Sequence, residues 1–410
     1  MARTDEALAR SLRLLSMALE PDGFVASPSF EHYGAVWARD AALTCLGASR
    51  SQDDALVRGA EATLRTLGAT ASPTGQIANA FWPSRRYWDW GEAGAADPSA
   101  WFVIALGEHV RATGRTGVAE ELWSPMTRAL KWLASQDATG TGLVGSAAAG
   151  DWMDSSLNRS GRVFHVNVLY HWALRAANDV AAELGRGSVG SPERVADAID
   201  GLFWPRPGGD LAELAVATYP PDAVVRFPHP LAATEYARLG TESRRHYLAS
   251  VSYGRFVDRC DVLAHCLAIA SGLVSGDRAA SILDYLDERM CDEPFPSKTW
   301  PDPFSAADPD SLLDATADAL QAPQWRNAPG SYHNGAVWPY VGAVHACAAA
   351  VAGRGDRASA LLEGVAEANA LDDWGFREWI RVPDGAPSGS RNQTWNAGAL
   401  LWAHSVMAGG

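Results

Sequence analysis

Little in this chain would let it meet a nucleic acid or cross a membrane. Across 410 residues, 34 Lys and Arg face 48 Asp and Glu, a net charge of −14. No basic run is present to neutralise a phosphate backbone or an anionic lipid surface. Nowhere does the chain reach the ~18 strongly apolar residues of a membrane span. The N-terminal MARTDEALARSLRLLSMALE enters an amphipathic helix without the apolar stretch of a signal peptide. Cysteines are few: Cys45, Cys260, Cys266, Cys291 and Cys347 are odd in number and form no CxxC pair. They read as reduced, buried residues of a cytoplasmic protein. Strand-like alternation is scarce. HExxH, a Walker loop, a GxSxG elbow and a GxGxxG after a strand are all missing, so no metal or organic cofactor is expected.

What is plentiful is tryptophan and helical periodicity. Hydrophobic residues make up 47% of the chain and charged ones 20%, which rules out disorder and allows a large core. Of the 17 Trp, many stand in loops with Gly, Pro and acids, as flat surfaces that sugar rings stack on. Apolar spacing predicts helices over 3–18, 38–49, 52–68, 99–113, 117–137, 163–185, 191–203, 257–273, 277–290, 337–353, 356–370 and 393–408. Two kinds alternate. Segment 337–353 carries no Asp, Glu, Lys or Arg and suits burial on all sides, whereas 356–370 has one charged face. Six buried helices alternating with six half-exposed ones describe an all-α (α/α)6 toroid. One domain over 1–410 then suffices, in preference to two helical domains parted near 204–256.

The connections follow the same alternation. Inner-to-outer links are short, such as 51–52 and 114–116. Outer-to-inner links are long: 69–98, 138–162, 204–256, 291–336 and 371–392. Long loops gathered on one face of a rigid scaffold are where sites sit. Six polar clusters stand in or beside such links, each ahead of an inner helix: Trp37-Ala-Arg39-Asp40, Asp97 to Trp101, Asp151-Trp152-Met-Asp154, Asp258 to Asp261, Tyr332-His333-Asn334-Gly335 to Trp338, and Phe376-Arg-Glu378-Trp. Asn392-Gln393-Thr-Trp395 introduces the last helix. Capping explains an acid at a helix start, but not the recurrent aromatic, His and Arg company.

Glu378 and Asp154 stand among aromatics that would raise an acid's pKa, as paired carboxyls for glycoside hydrolysis require. On residues alone Asp151 competes with Asp154. Among the histidines, His32, His165, His171 and His345 read as packing or hydrogen-bonding groups, and His333 as a pocket residue.

These clusters, in order, resemble the glycogen-debranching amylo-α-1,6-glucosidase domain, family 63 glycoside hydrolases, and glucosylglycerate or mannosylglycerate hydrolases. Trp37-Ala-Arg39-Asp40 is similar to the family's Trp-Gly-Arg-Asp, Asp97 to Phe102 to its Asp-Ala-x-Trp-Phe, and His333 to Pro339 to its His-x-Gly-x-x-Trp-Pro. Trp152-Met153-Asp154 resembles the segment bearing the general acid, which favours Asp154 over Asp151. Glu378, followed by Asp384-Gly385 and Gln393-Thr-Trp395, resembles the base region. Asp-Gly follows Glu378 at a greater distance than in the debranching pattern, which favours a short or small glucoside. The resemblance implies an (α/α)6 inverting exo-acting α-glycosidase, acid Asp154 and base Glu378 roughly 6.5–9.5 Å apart. Its carbohydrate would be held by Trp37, Arg39, Asp40, Asp97, Trp101, Trp152, Tyr332, His333, Asn334, Gly335, Trp338, Gln393 and Trp395, in a monomer or homodimer. The alternatives are an N-acylglucosamine 2-epimerase-like isomerase, which uses the same barrel with paired histidines, and a non-catalytic sugar-binding barrel.

Overall fold

The computed structural model describes residues 2–29, 33–91, 95–138, 140–157, 159–209, 230–252 and 255–409. His32 and part of the 204–256 link lie outside the described residues. Six helices form an inner ring: Ala38–Ala48, Asp97–Thr113, Phe164–Glu183, Val262–Ala270, Pro339–Val351 and Thr394–Ala408. Each packs on the next, and the last returns to the first, so the ring closes. Around them lie Ala2–Ala18, Asp54–Ala69, Gly117–Glu121 continued by Trp123–Ser135, Pro192–Phe203, Gly276–Glu288 and Gly355–Trp374. The fold is an (α/α)6 barrel.

Composition assigns each helix to its layer. Pro339–Val351 is buried from Pro339 through Ala349, whereas Asp54–Ala69 buries a single stripe including Leu56, Ala60, Leu64 and Leu67. The seam between first and last inner helices is unusually close. A Cβ on Gly47 would stand 2.3 Å from the Gly398 carbonyl oxygen, so only glycines allow these backbones to touch.

Two expected helices are altered, each for a local reason. The 117–137 segment breaks at Leu122 into two helices. The 257–273 segment starts only at Val262, because Arg255–Val257 pairs with Ser250–Ser252 and Asp261 caps the helix by accepting from the Ala264 N–H at 3.0 Å.

Small antiparallel sheets fill the links that lead into inner helices. Val36–Trp37, Ala80–Trp82 and Tyr87–Asp89 form one of three strands. Gly145–Ser146, Gly161–Val163, Ser250–Ser252 and Arg255–Val257 form one of four, and Trp379–Ile380 pairs with Pro387–Ser388. Strands of two or three residues are too short to leave an alternating pattern in the sequence. Two of them, Val36–Trp37 and Gly161–Val163, stop at the residue before an inner helix, so these sheets fix how side chains at those helices' N-terminal ends are presented. The five cysteines are free and buried. Among the described residues, no helix is long and apolar enough to cross a membrane.

Candidate active site

The first inner helix delivers Arg39 and Asp40 in its first turn, directly after the strand Val36–Trp37. Arg39 Nε donates to Asp97 Oδ2 at 2.8 Å, and its Nη1 lies 3.6 Å from Asp154 Oδ2. Asp97 begins the second inner helix and is fully buried. Asp154 differs from its neighbours: Trp152 and Met153 are buried, while its own side chain is 42% exposed. Its carboxyl is nonetheless pushed above the usual range, first by desolvation, then by Asp151, with Arg39 opposing. A carboxyl that solvent can touch but hydrate poorly is one that lines a cavity wall.

Asp151 occupies the opposite kind of place. Arg159 Nε donates to its Oδ2 at 2.8 Å, and the Met153 N–H donates to its Oδ1 at 2.9 Å. The same guanidinium also bonds Asp261 through Nη1, and all three side chains are buried. Both Asp151 oxygens are thus occupied by the scaffold. The sequence alone could not tell these two acids apart; their surroundings do.

Glu378 enters from the hairpin Trp379–Ile380/Pro387–Ser388. Tyr33 Oη donates to its Oε1 at 2.8 Å and the Ser390 N–H to its Oε2 at 2.9 Å. Gly389 sits at φ 69°, and a Cβ there would come within 2.4 Å of Oε2, so the carboxylate occupies space that any other residue would fill. Glu378 is 2% exposed, and burial raises its pKa to about 7 against the two donors. Burial likewise lifts Asp40 to about 7, with Arg39 opposing and the charges of Glu378 and Asp154 adding to the rise. Asp97 rises to about 6 for the same reason, with Arg39 again opposing. Tyr332, Phe376 and Asn392 take φ of 45°, 40° and 56°, a left-handed conformation that non-glycine residues avoid and that concentrates where function over-determines the backbone.

An aromatic wall adjoins these acids. Trp152 stands edge-on to Trp338 at 5.4 Å and to His333 at 5.1 Å, and His333 stacks on Tyr332 at 4.0 Å. Trp338 donates its indole N–H to the Tyr332 carbonyl at 3.0 Å. Trp395 stacks on Tyr340 at 4.7 Å and meets Trp338 edge-on at 5.7 Å. His333 Nδ1 is 3.1 Å from Ser155 Oγ, and burial drives its pKa well below 6.5. Several buried polar atoms of this group have no hydrogen-bond partner among the described residues: one oxygen each of Asp40 and Asp97, the indole N–H of Trp37, Trp152 and Trp395, and both amide atoms of Gln393. Leaving such atoms unpaired is costly, and sugar hydroxyls supply both donors and acceptors for them.

Three of the expected binding residues serve the scaffold instead. Trp101 is buried within the inner ring, edge-on to Trp172 at 6.0 Å. The Asn334 amide accepts from the Phe304 N–H at 2.7 Å and donates to the Phe304 and Asn327 carbonyls at 2.9 and 2.8 Å, leaving no hydrogen for a ligand. Gly335 is packed against Pro303. Conversely, Tyr33, Tyr340 and Arg159 were not singled out in the sequence. Tyr33 lies in the Tyr-Gly-Ala-Val-Trp stretch just before Arg39, whose aromatic company was the available signal. Among the described residues, no cluster of three or more His, Cys, Asp and Glu is placed to hold a metal ion.

No protein-family model matches the chain. The probable alkaline/neutral invertase D of Arabidopsis thaliana is 23% identical over 342 residues, 77% of this chain and 61% of that protein. The chain therefore spans about three fifths of the relative's length. Among solved structures, a GH63 mannosylglycerate hydrolase from Thermus thermophilus superposes with a TM-score of 0.65 at 16% identity, covering 97% of this chain and 99% of the hydrolase. A GH78 family rhamnosidase of Bacillus sp. GL1 gives 0.63 at 16% identity, over 99% of this chain and 35% of the rhamnosidase. At such identities the likeness is one of fold: the chain is built on the (α/α)6 barrel of these glycosidases.

Proposed function

We propose that the protein is a glycoside hydrolase, an inverting and exo-acting α-glycosidase for a short α-glucoside, with residues 1–410 as one catalytic unit. The observation that carries this reading is the contrast in setting between two carboxyls, Asp154 lying 3.6 Å from Arg39 and Glu378 buried beneath Gly389. The Asp154 side chain is 42% exposed, and Glu378 is buried and held by two donors. A hydroxyl and an amide N–H that both donate to Glu378 favour its ionised form, as a base requires. In the proposed reaction Asp154 gives its proton to the glycosidic oxygen as the bond to the anomeric carbon breaks. Water attacks that carbon from the opposite face, and Glu378 takes the water's proton. Arg39, Asp40, Tyr332 and Gln393 hold hydroxyls of the enclosed ring, and Trp152, Trp338 and Trp395 wall it. No step calls for a metal or organic cofactor. Free cysteines and an acidic surface fit a cytoplasmic monomer or homodimer that binds carbohydrate and neither nucleic acid nor membrane.

The isomerase alternative needs histidines that exchange protons near neutrality. Here His165 and His333 are buried and held well below 6.5, first by desolvation and then by Arg39 and Arg159. The test is a panel of α-linked disaccharides with glucosylglycerate and mannosylglycerate, read by released sugar. Proton NMR on the substrate cleaved should show the β-anomer forming first; the α-anomer first would require Glu378 to act as a nucleophile instead.

A further inference from the structure

The three-stranded sheet beside the pocket has its chemistry the wrong way round for a sheet with one wet face. Its register pairs Val36 with Phe81 and Phe81 with Trp88, and pairs Trp37 with Ala80 and Trp82 with Tyr87. Cross-strand partners share a face and successive residues alternate. Val36 and Phe81 therefore point to the core, where both are buried. Trp37, Trp82 and Tyr87 share the other face, which ordinarily carries polar side chains. Tyr87 is 55% exposed on that outer face, which also carries Ala80 and Asp89, whereas Trp88, 37% exposed, pairs with Phe81 on the core-facing side. These are among the few large apolar side chains that the described residues leave to solvent.

This outer face is continuous with the proposed site. Trp82 lies 6.4 Å from Trp37, Trp37 lies 6.3 Å from Tyr33, and Tyr33 bonds Glu378. The guanidinium of Arg85 sits 5.6 Å from the Trp82 ring centre, which braces the indole and brings hydrogen-bond donors to the strip. The buried indole N–H of Trp37 has no partner among the described residues.

Resting on the glycosidase reading, we propose that Trp37, Trp82 and Tyr87 form a stacking strip for the leaving group, and that the leaving group is itself a sugar ring or short oligosaccharide. An exo-acting pocket encloses the glycone, so only the leaving-group side reaches the rim. A small acyclic aglycone such as glycerate has no flat C–H face for three aromatic rings to engage.

The experiment compares wild type with Tyr87→Ala, Trp82→Ala and, to guard against misfolding, Trp82→Phe. Substrates are an α-linked glucotrisaccharide, p-nitrophenyl α-glucoside and α-glucosyl fluoride. Tyr87→Ala and Trp82→Ala should each lose about tenfold in kcat/KM on the trisaccharide, with Trp82→Phe in between and glucosyl fluoride changed less than about twofold. A matching loss on the nitrophenyl glucoside but none on the trisaccharide overturns the sugar assignment in favour of an aromatic aglycone. Equal losses on the trisaccharide and the fluoride, or no loss on either, overturn the strip. If wild type cleaves none of them, the glycosidase reading fails and calorimetry with the trisaccharide decides the strip separately. Binding that Tyr87→Ala weakens upholds it, and no binding by wild type overturns it.

Discussion

The two ends of the barrel handle charge in opposite ways. Where the inner helices end, at the short links, several charges are closed off by opposite charges or backbone carbonyls. Glu108 is bonded by Arg50 and Arg111 and sits below its usual pKa for that reason, despite burial. Arg175 bonds the Ser271 carbonyl, Arg50 donates to the Leu46 carbonyl at 2.9 Å, and Arg354 pairs with Asp284 at 2.7 Å. Arg50 and Arg175 meet helix C-terminal carbonyls, where the backbone dipole favours them. Where the inner helices begin, Asp40, Asp97, Asp154 and Glu378 are all raised, and buried polar atoms stand unpaired. At the short-link end Glu108 is held below its usual range by two arginines, whereas at the other end four carboxyls are raised, beside the closed triad of Arg159, Asp151 and Asp261.

The largest expected effect tests that division directly. Asp154→Asn and Glu378→Gln should each slow hydrolysis by roughly 10²–10⁴. A glucosyl fluoride, whose leaving group needs no proton, should partly rescue Asp154→Asn and leave Glu378→Gln unrescued. Rescue of both, or of neither, would remove the assignment of acid and base.

Breaking the closed triad should act on folding. Arg159→Met strands Asp151 and Asp261 without their shared cation, at about 3–5 kcal/mol of stability, read by urea denaturation. Asp151→Asn should also destabilise, whereas Asp154→Asn should leave the midpoint near that of wild type. If the two Asp variants lost stability alike, their environments would not differ as described.

The site carboxyls should show the reverse sign. Glu378 rises from 4.5 to about 7 on folding, so its contribution to stability is greatest below 4.5 and is lost as pH rises through 7. Glu378→Gln should therefore be more stable than wild type at pH 8, by up to about 3 kcal/mol, with the gap closing toward pH 5. The same ionisation sets the acid limb of activity, which should fall as pH drops through about 7. A variant less stable than wild type at pH 8 would contradict the burial of an uncompensated charge.

The smallest effect is expected at the short-link end. Arg354 and Asp284 are 25% and 55% exposed, so Asp284→Ala should change stability by under about 1 kcal/mol and leave kcat/KM unaltered.

Much of the barrel was legible because its helices differ in kind. A stretch such as 337–353, without one charged side chain, has nowhere to go but inside, and 356–370 can only cover it. The acids were legible by company, since capping does not call for tryptophan. What stayed hidden depends on distant parts of the chain. Asp151 and Asp154 read alike until Arg159 turns one of them toward Asp261. Asn334 looks like a binding residue until residues 304 and 327 arrive to occupy its amide. The outward aromatic face at Trp82 and Tyr87 exists only through strand register, which segments of three residues do not betray.

The glycine seam between Gly47 and Gly398 bears on how the molecule is made. Arg39 and Asp40 are translated well before Gln393 and Trp395. The ring cannot close until the final inner helix reaches the first, across a separation of most of the chain. Until then the pocket has lost a wall, and the buried carboxyls face water with ordinary acidity. Such a contact forms late, because its loop must be closed before it stabilises anything. A chain translated only as far as the hairpin at Pro387–Ser388 would thus carry both proposed catalytic carboxyls but lack Gln393 and Trp395, and complete the proposed site when the sixth inner helix meets the first.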